Sequence, residues 1–295
     1  MSKLSEPLKQ FINAAHARPN TVPAPKNVTS IYERIASDAI SKKVGLPVWL
    51  SASTAATMTM NSPESMLALY NLATSASHTD PKKYTNQPLW AAELMREIGL
   101  KCIGFNGVPR TINVLGAFYG SLPEEIQTQL KQRKPRRHLS KSNIEDILAR
   151  GNGLWDSIYH PFSDKLSAKL AQSHPDLPVH IIESEYGCLF SDPPGAAGEN
   201  IPNVGRALTS IIAVACLRAQ SGVGPQVVSH VFGLRKAFED GSAETEEELP
   251  GGKWVASNEG SLWLLEQVDS IVHGLGVGKG TTYAPGFESA PKAKL

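Results

Sequence analysis

The segment SGVGPQVVSHVFGLRKAFEDG, residues 221 to 241, carries one imidazole, His230, on an amphipathic helix opened by a Gly-Pro turn. An imidazole with its ordinary pKa near 6.5 takes and gives a proton at neutral pH, which makes His230 the candidate general acid/base. Arg206 opens an apolar stretch and can grip a substrate carboxylate through two parallel N–H bonds. Glu183 and Glu185 flank a Tyr186-Gly187 turn, where apolar Ile182 and Leu189 would raise a carboxyl pKa toward the range useful for proton transfer. Glu185 and Tyr186 join the candidate site on that ground. Cys188 follows as a candidate thiol. In the first half, Asn106 and Arg110 surround a Gly107-Val108-Pro109 turn whose N–H groups would receive an anion. Each residue also has a plainer role: a packing histidine, an arginine in an ordinary ion pair, an inert thiol, a capped turn. Trp155, Tyr159 and Trp263 read as core or interface aromatics.

The elements that must position these groups are helical. Several segments share one device, a capping residue, a proline in the first turn and apolar residues three and four apart. Pro63 opens a helix that buries Met66, Leu69 and Tyr70; Pro109 opens one with Ile112, Leu115 and Tyr119. Pro225 opens the His230 helix, and a last helix runs from near Asn258 to Gly274. The segment from Leu208 to Leu217 is apolar on nearly every side and is expected at the centre of the second half. PVHIIES, 178 to 184, alternates like a short extended piece. The fold class is all-α in two successive helical halves. The divisions are an N-terminal helical extension over 1–44, halves over 45–130 and 145–275, and a tail over 276–295.

Composition narrows the function further. The chain of 295 residues has a formal charge of +1, which supplies no global field for nucleic acid or an anionic membrane. Its longest apolar run, SIIAVACL at 210 to 217, is about half the roughly 18 residues needed to span a bilayer. Cys102, Cys188 and Cys216 form neither a CxxC nor a zinc spacing, so no metal is expected and a reducing compartment fits. The cytoplasm is the expected location; a mitochondrial presequence is the weaker alternative, since only one Arg stands in the first 20 residues. HGLGVGKGTT, 273 to 282, is not a phosphate loop, because His273 and Gly280 stand where Gly and Ser/Thr are needed. The basic run KQRKPRRHLSK, 131 to 141, reads as a solvated linker with an anion-contacting patch as the alternative. The acidic EDGSAETEEELPGGK, 239 to 253, reads as a mobile surface loop.

Several phrases resemble the carboxymuconolactone decarboxylase and alkylhydroperoxidase-D-like (AhpD-like) superfamily. They are ELMREIGLKCIGFNGVPRTINVLGAF (93 to 118), RGNGLWDSIYHPFSDKL (from 150), HPDLPVHIIESEYGCLFSDPPG (from 174), GRALTSIIAVACLRAQ and VVSHVFGLRKAFEDG. Their order is that of the superfamily, and together they cover roughly residues 45 to 275. The likeness is greatest to its long fungal members, which hold two diverged copies of the domain. The resemblance implies an AhpD-like all-α fold, a homo-oligomer and a site close to subunit contacts. In the redox branch of that superfamily a C-x-x-C-x-x-x-H helix does thiol chemistry, but here the cysteine positions hold Val223 and Gln226, and Ala207 replaces a glutamate.

What remains is the decarboxylase-like branch, which uses no metal and no redox cofactor. It implies a lyase or decarboxylase on a small carboxylated or lactone metabolite, with His230 as acid/base, Arg206 orienting the substrate and Glu185 assisting. No nucleic acid and no membrane enter this reading. A non-catalytic oligomeric binding or assembly protein is the first alternative. A thiol-dependent peroxidase or oxidoreductase, through Cys188 or Cys216, is the second.

Overall fold

The computed structural model describes residues 4–193, 201–245 and 247–281. Most of the tail expected over 276–295 lies outside them. The described residues are helical with no strand, so the all-α fold is observed. Short α1 (Glu6–Ile12) and a 3-10 turn at Ala15–Ala17 precede α2 (Val28–Ser41), α3 (Leu46–Thr59) and α4 (Pro63–Ala73). Then come α5 (Gln87–Lys101), α6 (Ile103–Asn106), α7 (Val108–Ser121) and α8 (Glu124–Lys131). The second stretch holds α9 (Ile144–Tyr159), α10 (Ser163–Ser173), α11 (Asp176–Val179), α12 (Gly205–Gln220), α13 (Gly224–Glu239), α14 (Gly252–Val255) and α15 (Asn258–Leu275).

Two helices cross at the centre, and they are buried for different reasons. α12 is apolar nearly all round, and twelve of its residues are buried, among them every one from Ala207 to Leu217. α3 is buried from Pro47 to Thr59 although much of it is Ser, Thr and Ala. Small side chains let its backbone lie close to α12, and two of its hydroxyls bond back to the helix: Thr57 and Thr59 donate to the carbonyls of Ser53 and Ala55. The main core formed around this pair draws on α2, α4, α5, α7, α8 and α15 as well. A smaller cluster of Trp155, Ile158, Tyr186 and Phe190 lies beside it, and Phe105 packs against both.

The expected extended piece at 178 to 184 is helical. It belongs to α11 and to a π-helix that continues it over His180–Phe190, so Tyr186 and Gly187 lie inside a helix rather than at a turn. The β-branched residues imitate a strand in one dimension, but packing against α9 overrides them. The crossing is possible because glycine faces glycine. A Cβ on Gly151 of α9 would stand 2.7 Å from the Gly187 Cα and 2.8 Å from its nitrogen.

Two charged segments also depart from expectation. The basic run lies against α5, where Arg133 bonds to Glu93 and Arg137 to Glu97. The acidic segment is docked as well: Leu249 is buried in the core, Pro250 accepts from the Gly45 N–H at 2.9 Å, and Glu244 accepts from the Ala207 N–H at 3.0 Å. A glutamate carboxylate thus reaches the start of α12 from outside that helix.

The glycine crossing makes a paired prediction. Gly151→Ala forces a methyl into backbone and should lower the unfolding free energy by about 1–3 kcal/mol in urea titrations. Gly153→Ala, where a Cβ meets nothing within 4 Å, should be neutral or stabilising. Equal effects at the two positions would reject the close approach.

Candidate functional site

α13, α9 and the π-helix bring three polar rings into a line. Tyr186 donates to the Tyr159 hydroxyl at 3.2 Å, and the Tyr159 hydroxyl lies 3.5 Å from His230 Nε2. In the tautomer that lets Tyr159 donate onward, the imidazole proton sits on Nδ1, which is buried with no partner. The ring is 7% exposed and is flanked edge-on by Phe105 and Tyr159, each with its centroid 6.2 Å away. Trp155 packs on Tyr159 at 4.2 Å and edge-on to Tyr186 at 5.2 Å, which fixes both phenols.

The electrostatics of the line are set by burial and by one guanidinium. Burial, with the positive charge of Arg206 as a smaller cause, pushes His230 down to about 4. Burial raises both phenols above their ordinary range, Tyr186 further, while Arg206 acts in the opposite sense on each. At neutral pH the imidazole is therefore uncharged and both phenols keep their protons. Arg206 itself is held within the fold. Its Nε and Nη1 donate to the hydroxyls of Ser157 and Ser210 at 2.8 and 2.6 Å, and its Nη2 to the carbonyls of Gly233 and Ser157 at 2.8 and 3.2 Å. Its geometry is that of a clamp joining α9, α12 and α13.

Tyr159 also walls a cavity of about 440 Å³. Ile158, Phe162, Leu166 and Phe232 give it an apolar lining. Arg235 and Lys236 lie at its edge with Glu239. Lys236 donates to the His160 carbonyl at 2.6 Å, and Arg235 reaches the Asn258 side chain at 2.5 Å. His230 stands behind Tyr159 and does not line the cavity.

The other candidates lie elsewhere. Glu185, on the π-helix, faces α6: its Oε1 is 3.5 Å from His180 Nε2, its Oε2 is buried without a partner, and burial raises its pKa. A Cβ on Gly104 would come within 2.7 Å of that Oε2. Cys188 is half-buried on the same helix. Asn106 accepts from the Thr59 hydroxyl at 3.1 Å, and Arg110 donates to the Thr59 carbonyl, so both serve the end of α3. Gly107, at φ +79°, makes the turn between them. Cys102 and Cys216, 114 positions apart in sequence, are buried with their sulfurs 3.5 Å apart, and burial raises the Cys102 thiol well above its usual range. Among the described residues no cluster of His, Cys, Asp and Glu could hold a metal ion, and no helix is long and apolar enough to cross a membrane.

Tyr159 carries the site's geometry yet reads as a packing aromatic in the sequence. Only its distance from His230, 71 positions on, distinguishes it, and no local pattern encodes that distance. No protein-family model matches the chain, and neither a curated protein nor a solved structure is significantly similar to it.

The His230 environment predicts a pH dependence. The folded pKa lies below the unfolded value near 6.5, so between the two the unfolded chain binds the extra proton. This contribution is fully present above about pH 6.5 and falls by about 3 kcal/mol as the pH drops to about 4. NMR titration of the His230 ring should show a midpoint near 4, and His230→Gln should flatten the stability loss across that window. A midpoint near 6.5 would contradict the buried, uncharged ring.

Proposed function

We propose that the protein is a cofactor-free acid/base enzyme of decarboxylase or lyase type, acting on a small carboxylated or lactone metabolite held in the Tyr159 cavity. One observation carries the reading: a protonated phenol, backed by a second phenol and an uncharged imidazole, walls an apolar cavity with cations at its edge. In such surroundings a donor aimed at a developing oxyanion is worth far more than in water. The substrate's apolar body fills the cavity and its carboxylate lies toward Arg235 and Lys236. The bond to the carboxyl carbon breaks, its electron pair passes into an enolate and CO₂ leaves. Tyr159 turns its hydroxyl to the enolate oxygen while Tyr186 continues to donate to Tyr159, which strengthens the donor. Water entering by the mouth gives a proton to carbon as the enolate reverts to a carbonyl, and the hydroxide left behind departs to solvent.

The acid/base part expected of His230 passes in this scheme to Tyr159. A ring whose pKa lies near 4 is a poor proton donor store at neutral pH, and His230 acts as the acceptor that positions the Tyr159 hydroxyl between turnovers. Arg206 holds the helices that carry both phenols. Exposed Phe162 and Phe232 at the mouth favour a second reading, a homo-oligomeric binding protein whose partner copy covers that face.

Release of CO₂ from a panel of carboxylated lactones and β-keto acids tests the proposal. The wild-type protein should turn over at least one, and Tyr159→Phe should lower kcat about 100-fold with KM changed less than about threefold. Absence of turnover across the panel, or a Tyr159→Phe variant with undiminished kcat, would overturn it.

A further inference from the structure

A second cavity, of about 450 Å³, opens where the chain from Arg133 to His138 lies over α5. It shares no lining residue with the Tyr159 cavity. Its apolar surface comes from Leu100, Leu115 and Ile201. Five cationic side chains, Arg96, Arg133, Lys134, Arg136 and Arg137, line it with only two carboxylates, Glu93 and Glu97. In a chain whose formal charge is +1 this is a concentrated positive field.

The two carboxylates are already engaged. Arg133 bonds to Glu93, Arg137 bonds to Glu97, and Arg136 stands 3.9 Å from Glu97. Arg96 and Lys134 have no carboxylate within ion-pair distance among the described residues; Arg96 instead lies over the Tyr119 ring at 5.9 Å. The Arg137 Nε donor and the Glu93 Oε2 acceptor are buried beneath the cavity wall, and Glu93 is only 6% exposed, so the groups that face the cavity are the outer ends of the cations.

We infer that this cavity binds a small anion with an apolar body. A carboxylate or phosphate head sits among Arg96, Lys134 and Arg136, and the apolar body rests on Leu100, Leu115 and Ile201. The site does not depend on the chemistry assigned to Tyr159, and its ligand need not be the substrate of that cavity.

Calorimetric titration at low ionic strength with mandelate, phenyl phosphate and inorganic phosphate tests the inference and separates the two head groups. At least one aromatic anion should bind saturably and at least about tenfold more tightly than inorganic phosphate, because only it covers the apolar surface. Binding should weaken as salt rises. Arg96→Ala and Lys134→Ala should each weaken it about tenfold while the thermal midpoint stays within about 2 °C of wild type, since neither cation is committed to an internal ion pair. Lys134 is exposed, so its variant keeps the test valid if Arg96→Ala fails to fold. No saturable binding of either aromatic anion, or binding indifferent to Lys134→Ala, would overturn the inference. Tighter binding of a single-stranded oligonucleotide than of both aromatic anions would overturn it too, because it would mark a polyanion surface.

Discussion

The ammonium group of Lys101 has no exposed surface, and its three partners come from parts of the chain far from it in sequence. It donates to the Phe190 carbonyl at 2.6 Å, to Asp192 at 2.8 Å and to the Thr209 hydroxyl at 3.2 Å. An ammonium taken out of water is tolerated only when its N–H groups are all used, and here they are. Asp192 in turn accepts from the Gly205 N–H at 2.7 Å, adding a negative charge at the start of α12. One side chain at the end of α5 therefore fixes both the close of the π-helix and the beginning of the central buried helix. Both phenols depend on this placement, because Tyr186 rides on the π-helix and Tyr159 packs against it.

A second interior cation extends the same logic. Arg206 leaves the first turn of α12, ties α9 to α13 and biases the charge state of each ring near it. Its positive charge opposes protonation of His230 and favours ionisation of the phenols, whereas burial alone would hold all three rings neutral. The site is thus electrostatically arranged by a residue that lines neither of the two cavities described. The same economy appears at the Gly151 and Gly187 crossing, where the absence of two side chains sets how close the phenol-bearing helices come.

The helices announced by local signals were legible in the sequence. Pro63, Pro109 and Pro225 stand in the first turns of α4, α7 and α13, and the apolar run at 208 to 217 is the core of α12. What escaped was everything decided by distant partners. α3 carries no stripe because it is buried on all faces, so periodicity has nothing to detect. The 178 to 184 segment has the composition of a strand and the packing of a helix. In the site, His230 stood out because histidine titrates usefully, yet its neighbours could not be known, and Arg206 looked like a carboxylate receptor because it opens an apolar helix, whereas its partners are two serine hydroxyls and two carbonyls. The pairing of Arg133 and Arg137 with α5, and the docking of Glu244 on α12, were hidden for the same reason: runs of like charge look solvated until the opposite charge or the open N–H is found across the fold.

The Lys101 contacts hold the phenol-bearing cluster to the main core. Amide hydrogen exchange of the Lys101→Met variant, resolved by peptide, reads this out. Residues 144–159 and 180–190 should lose protection by at least about tenfold while residues 46–59 keep theirs, since the smaller cluster would open without global unfolding. Equal loss of protection in all three segments, or none in any, would show that Lys101 does not hold the cluster to the core.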